Sequence, residues 1–119
     1  MEGIHLLYLE INKIFSLSCQ PICNSALIFE WHDAKFEMVY KGRQITFEEA
    51  CSTFFDDYAV TIEDIGHYDE QRLLTTGMSK DFRLLTVVWV ESNDTFRLIT
   101  AFEPTKDQQR RYEYAKRNS

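Results

Sequence analysis

Cysteine, proline and glycine are all scarce in this chain, and basic residues are outnumbered. The three cysteines, Cys19, Cys23 and Cys51, cannot all pair internally. Cys19 and Cys23 have no second Cys/His pair nearby to complete a tetrahedral metal site. They read as structural thiols of a reducing compartment. With two prolines and four scattered glycines, no glycine-rich phosphate loop is present, nor is a zinc-hydrolase or Ser/Cys–His relay motif. Internal repeats and low-complexity segments are missing too. The most apolar region, residues 4–17, is interrupted by Glu10, Asn12 and Lys13, which makes it a poor membrane span. Glu2 and the lack of a basic flank make it a poor secretory signal. The expectation is a cytoplasmic, membrane-free protein. Its 119 residues are enough for one domain that buries a core without disulfide or metal staples.

What is present is an ordinary globular balance, 45% hydrophobic and 27% charged, with the charge unevenly spread. From Thr105 onward Lys106, Arg110, Arg111, Lys116 and Arg117 face only Asp107 and Glu113. That is a local surplus of three positive charges in a chain of net charge -6. Affinity for a polyanion comes mainly from Lys and Arg. Attraction to a polyanion is therefore expected from the C-terminal helix and from isolated arginines rather than from the whole surface.

Residues 1–25 read as an appendage, an amphipathic helix or strand set off by Pro21 and Asn24-Ser25, and residues 26–119 as the main domain. There, 27–31 reads as a strand and 32–41 as a helix with Gly42 as its stop. Thr46-Phe47-Glu48-Glu49 has the capping-box form and opens a second helix, ended by Asp56-Asp57. Strands follow at 58–62, 72–78, 82–90 and 95–102, with an acidic loop at 63–70. Pro104 stops the last strand, and Thr105 with Gln108 forms a second capping box. The fold class is α+β, a small antiparallel meander with two helices before it and one after.

Turns centred on Lys80 and Asn93 would place Arg72 on one sheet face beside Phe82, Leu84, Val88, Leu98 and Phe102. Arg83 and Arg97 would fall on the other face with Trp89 and Ile99. In that register Arg83 meets Glu103, reading equally as a cross-strand ion pair or a contact to a polyanion, and Arg97 can stack on Trp89. Arg72 has no carboxylate opposite and leads the candidates for phosphate binding. Lys35, one helical turn after Trp31, is a solvated lysine or a phosphate contact. Glu49 reads as a helix cap, and His5 and His67 as surface residues.

Across residues 28–114 the chain resembles the BrnT-type ribonuclease toxins. The resemblance is carried by Phe29-Glu30-Trp31, Lys35, Phe47-Glu48-Glu49-Ala50, Phe55-Asp56-Asp57 and Arg72. It continues through Gly77-Met78-Ser79, Arg83-Leu84-Leu85, Val87-Val88, Arg97-Leu98-Ile99-Thr100-Ala101 and Arg110-Arg111-Tyr112-Glu113. It implies a RelE-like fold and RNA cleavage without metal or cofactor. The implied partner is a ribbon-helix-helix antitoxin, usually called BrnA, in a toxin–antitoxin hetero-oligomer. Lys35, Arg72, Arg83 and Arg97 are then the site candidates. The chain departs from the family where His32 replaces an Asp, Val39 an Asn and Phe102 an Arg. Gly42-Arg43-Gln44 stands where the family has Lys-His-Gly, so the family histidine is absent. Two readings stay open: an endoribonuclease toxin, or a weakened toxin fold that binds an antitoxin and supports repression.

Overall fold

A computed structural model describes residues 4–10, 26–65, 71–92 and 95–118. In chain order it holds strands β1 (Ile4–Glu10) and β2 (Ala26–His32), then helices α1 (Asp33–Arg43) and α2 (Phe47–Ser52), the latter continued by a 3-10 turn (Thr53–Phe55). Strands β3 (Val60–Asp64), β4 (Arg72–Met78), β5 (Leu84–Ser92) and β6 (Thr95–Phe102) follow, and helix α3 (Lys106–Arg117) is last. Among the described residues six strands form one sheet in the order β1-β2-β6-β5-β4-β3. Every pairing is antiparallel except β2 with β6, which is parallel. The α+β class and the helix placement are as the sequence indicated. The meander, however, is lengthened by β2 and by β1, the latter lying in the stretch read as an appendage. Cys19, Cys23, His67 and most of the acidic loop lie outside the described residues.

Local chemistry sets the helix ends. Thr46 Oγ accepts the Glu49 N–H at 3.1 Å, a side-chain cap for an otherwise orphaned donor. Thr105 and Gln108 complete the expected reciprocal box, with Thr105 Oγ accepting from Gln108 N at 3.2 Å and Gln108 Oε1 accepting from Thr105 N at 2.9 Å. The expected stop at Gly42 is corrected. α1 runs past Gly42 and ends at Gln44, whose backbone is left-handed (φ 62) and donates to Tyr40 O at 2.8 Å. The reversal falls where the 5→1 type bond closes the last turn, not where a glycine stands.

The inner sheet face presents Leu85, Val87, Trp89, Leu98 and Ala101 to Phe36, Val39, Phe47, Ala50 and Cys51 of α1 and α2. Phe29 is fully buried and meets Phe54, Phe55 and Phe96 edge-on. Its removal from water is worth about 2–3 kcal/mol. Trp31 stacks on Phe47 and Trp89 on Phe96. Burial pushes the Cys51 thiol far above its usual range, so this cysteine is a structural thiol as expected. On the outer face, α3 is anchored by Thr86 Oγ donating to Gln108 Oε1 at 2.9 Å. Tyr112 OH also donates to Asp56 Oδ2 at 2.6 Å.

The expected strand faces need one correction. Ser92 pairs directly with Thr95, which tightens the turn relative to one centred on Asn93. A bulge opposite Val88 and Trp89 then restores the original parity farther along. Because alternation has a period of two, residues between turn and bulge change face. Arg97 therefore pairs with Val90 on the outer face, and Leu98 pairs with Trp89 on the inner one. Phe102 keeps its outer place opposite Thr86. Arg72, next to the Leu73–Trp89 pair, is also outer. Arg72 and Arg97 thus share a face, flanking Val90.

Candidate active site

The β4–β5 connection is a tight turn through Ser79-Lys80-Asp81-Phe82. Phe82 N–H donates to Ser79 O at 2.9 Å, and Ser79 N–H donates to Arg83 O at 2.8 Å. This is the three-residue hairpin pattern whose third position is left-handed, and Phe82 occupies it with φ 63. The turn rests on α2: Lys80 N–H donates to Ser52 Oγ at 2.8 Å. Ser79 Oγ accepts from the N–H groups of Asp81 and Arg83 and donates to Glu49 Oε2 at 2.8 Å.

That carboxylate is the centre of the cluster. Glu49 is only 3% exposed, and it takes Arg83 in a two-pronged grip, Nη2 to Oε1 at 2.6 Å and Nε to Oε2 at 3.1 Å. Arg83 Nη2 also donates to Gln44 O at 2.7 Å, so the left-handed end of α1 supplies a third acceptor. Burial pushes the Glu49 carboxyl up. Hydrogen bonds from Arg83 and Ser79, with the charges of Arg83 and Lys80, outweigh burial and hold it below its usual value. The hydrogen bond to Glu49 likewise raises the Arg83 guanidinium. An arginine fixed by a planar bidentate partner is pre-organised for an oxyanion. Arg83 stays one-third exposed, and its Nη1 takes part in none of these bonds.

The sequence-level candidates do not converge on one point. Arg83 does not pair across the strands with Glu103; that residue contributes only through its charge. Arg97 does not face Trp89. Its Nε donates to Glu30 Oε2 at 3.3 Å, since Glu30 is its neighbour on β2. Arg72 does have a carboxylate opposite it, Asp64 on β3. Val90 lies seven positions beyond Arg83, about 23 Å along an extended strand, so Arg72 and Arg97 stand far from Arg83. Lys35 sits on the first turn of α1, and its side chain lies outside the described residues. His32 is exposed at the start of α1. Arg43 reaches β6, where Nη1 meets Ala101 O at 3.3 Å and Thr100 Oγ at 3.5 Å.

Sequence reasoning missed the Glu49–Arg83 grip. Glu49 stands at the third helical position, where a glutamate already satisfies the capping-box rule. Its side chain turns away from Thr46 to a partner 34 residues on. Among the described residues no three His, Cys, Asp or Glu side chains gather as metal ligands, and no helix is long and apolar enough to cross a membrane. A family model described as "Ribonuclease toxin, BrnT, of type II toxin-antitoxin system" matches residues 31–108. A search of curated proteins finds no match.

Proposed function

The chain belongs to the BrnT ribonuclease toxin family of type II toxin–antitoxin systems, and from that premise we propose that it is a metal-independent endoribonuclease with Arg83 as its central phosphate contact. The observation that carries this reading is the fixed guanidinium of Arg83. Glu49 and Gln44 orient it, and it keeps Nη1 for an outside acceptor. RNA supplies its own nucleophile. The 2′-oxygen attacks the adjacent phosphorus and the bond to the 5′-oxygen breaks, leaving a cyclic phosphate and a 5′-hydroxyl. Charge gathers on the phosphoryl oxygens in between, where a pre-aimed N–H donor acts best. Arg72, Arg97 and Lys35 serve as auxiliary contacts to the strand. Arg72 and Arg97 have acidic neighbours, which lessens their pull on RNA.

The proton balance is where this chain differs. The 2′-hydroxyl must lose a proton and the 5′-oxygen must gain one. An arginine side chain keeps its proton in proteins, so Arg43, at the family's histidine position, is no general base. Hydroxide takes the 2′ proton and water returns one to the leaving 5′-oxygen, giving a slow nuclease whose rate rises with pH through neutrality without the plateau a titrating histidine would impose.

The partner in this reading is a ribbon-helix-helix antitoxin. A second reading is favoured by Arg43, which is bonded to β6 in place of the family histidine: a toxin fold with little activity that binds the antitoxin and supports repression. Inducing the chain without antitoxin separates the two. Growth arrest with RNA cleavage, relieved by Arg83→Ala at equal expression, supports the nuclease. Normal growth and intact RNA at equal expression would support the co-repressor.

A further inference from the structure

Phe82 breaks two rules at once. It holds a left-handed backbone (φ 63), which a β-carbon disfavours and which this turn position normally gives to glycine. Its side chain is 88% exposed, so the strain is not returned as core packing. Local rules broken without a packing return point to a functional site. Its neighbours give the chemistry. Arg83 follows directly, its Nη1 outside the bonds to Glu49 and Gln44. The exposed Lys80, 3.5 Å from the Asp81 carboxylate, stands two residues before Phe82. Between this turn and the 3-10 turn lies a cavity of about 400 Å³ lined by Ser52, Phe55, Asp56, Met78, Lys80 and Phe82.

Resting on the nuclease reading above, the geometry points to Phe82 as a stacking platform for a nucleobase, beside the phosphate held by Arg83. Single-stranded RNA is recognised by splayed bases stacked on aromatic rings while cations hold the backbone. An exposed ring on a turn that also carries Lys80 and Arg83 is that arrangement in its smallest form. A protein partner would favour a broader apolar patch with a depleted charge count. Here the ring shares its turn with three charged residues, Lys80, Asp81 and Arg83. The hollow beside it has an apolar wall, Phe55 and Met78, against which a base can lie, and a polar side carrying Ser52, Asp56 and Lys80.

The test uses the purified full-length chain and a short single-stranded 2′-O-methyl oligoribonucleotide, which cannot be cleaved. Phe82→Gly removes the ring and relieves the backbone, so its unfolding midpoint should rise while its Kd for the oligonucleotide weakens on the order of tenfold or more. A merely structural residue would not give those opposite signs. On cleavable RNA the loss should appear in KM rather than kcat, since stacking is made equally before and during reaction. Phe82→Tyr should bind like the parent. Phe82→Trp should bind as well, with its emission quenched by the oligonucleotide. A parent that cuts RNA alongside a Phe82→Gly variant of unchanged Kd and KM overturns the stacking role and leaves the nuclease standing. A parent that neither binds nor cuts RNA removes both. Weakened antitoxin binding with unchanged oligonucleotide binding would also overturn the assignment, making Phe82 a protein contact.

Discussion

Replacing Glu49 by alanine removes the acceptor that holds Arg83 and Ser79 together, and the structure sets the size of the loss. The carboxylate is buried and takes three hydrogen bonds, two from a guanidinium and one from a hydroxyl. Truncating one member of a fully buried pair costs about 3–5 kcal/mol. Arg83 is one-third exposed and can regain water, so the cost here falls to about 2–3 kcal/mol. For 119 residues each kcal/mol moves the midpoint by about 4 °C, which gives a fall of roughly 8–12 °C. Urea unfolding of the parent, Glu49→Gln, Arg83→Met and the double variant should yield a coupling of about 1–2 kcal/mol.

The pH dependence follows from the direction of the shift. The folded carboxyl lies below its ordinary value of 4.5. Its contribution is thus complete above that value and is lost as pH falls through the depressed folded one. The parent should lose stability faster than Glu49→Gln below about pH 4.5, with parallel curves above pH 6. A coupling below about 0.5 kcal/mol, or parallel curves at acid pH, would refute the reasoning that Glu49 holds Arg83 in place.

Three further outcomes are expected. Gly77→Ala would put a Cβ 2.8 Å from Thr53 O and 3.1 Å from Ala59 Cβ, forcing backbone apart at a cost of about 1–3 kcal/mol in chemical denaturation. Asp56→Ala removes the acceptor for Tyr58 N, Met78 N and Tyr112 OH and should cost about 2–3 kcal/mol. Burial first, and then the bond to Asp56, raise the Tyr112 phenol well above its ordinary value. Alkaline difference spectra should therefore show one tyrosine fewer titrating late in that variant. Gln44→Gly should stabilise by about 0.5–1 kcal/mol, because φ 62 suits glycine better than a residue with a Cβ. A lower thermal midpoint would contradict it.

Much of the fold is legible along the chain because the signals are short-range. Thr46 and Thr105 name helix starts since their hydroxyls cap donors within a few residues. Short β-prone runs at 72–78 and 95–102, bounded by turn and stop residues, mark strands whatever they pair with. The end of α1 was misplaced because glycine permits a left-handed turn without requiring one, and Gln44 took it. Glu49 shows the deeper limit: its local and long-range explanations are both consistent with the same residue, and only packing chooses. The outer pairing of Arg72 with Asp64 stayed hidden because the acidic stretch read as a loop, and its first two residues in fact close β3.

Composition, caps and periodicity were enough to establish an α+β chain with its helices in order, and the run of family-like segments pointed to the same toxin family that the profile match shows. Each of those signals acts over a few residues, so it survives without knowledge of the fold. Which cations share a surface is a different kind of quantity. It depends on a parity carried through every turn and bulge, so one tighter turn at 92–95 moved Arg97 to the face of Arg72. It depends also on partners far apart in the chain, as in the grip of Glu49 on Arg83. The parallel contact of β2 with β6, the strained exposure of Phe82 and the separation of Arg83 from the outer arginines are likewise products of long-range pairing. Tertiary structure decides them because no local free energy distinguishes the alternatives.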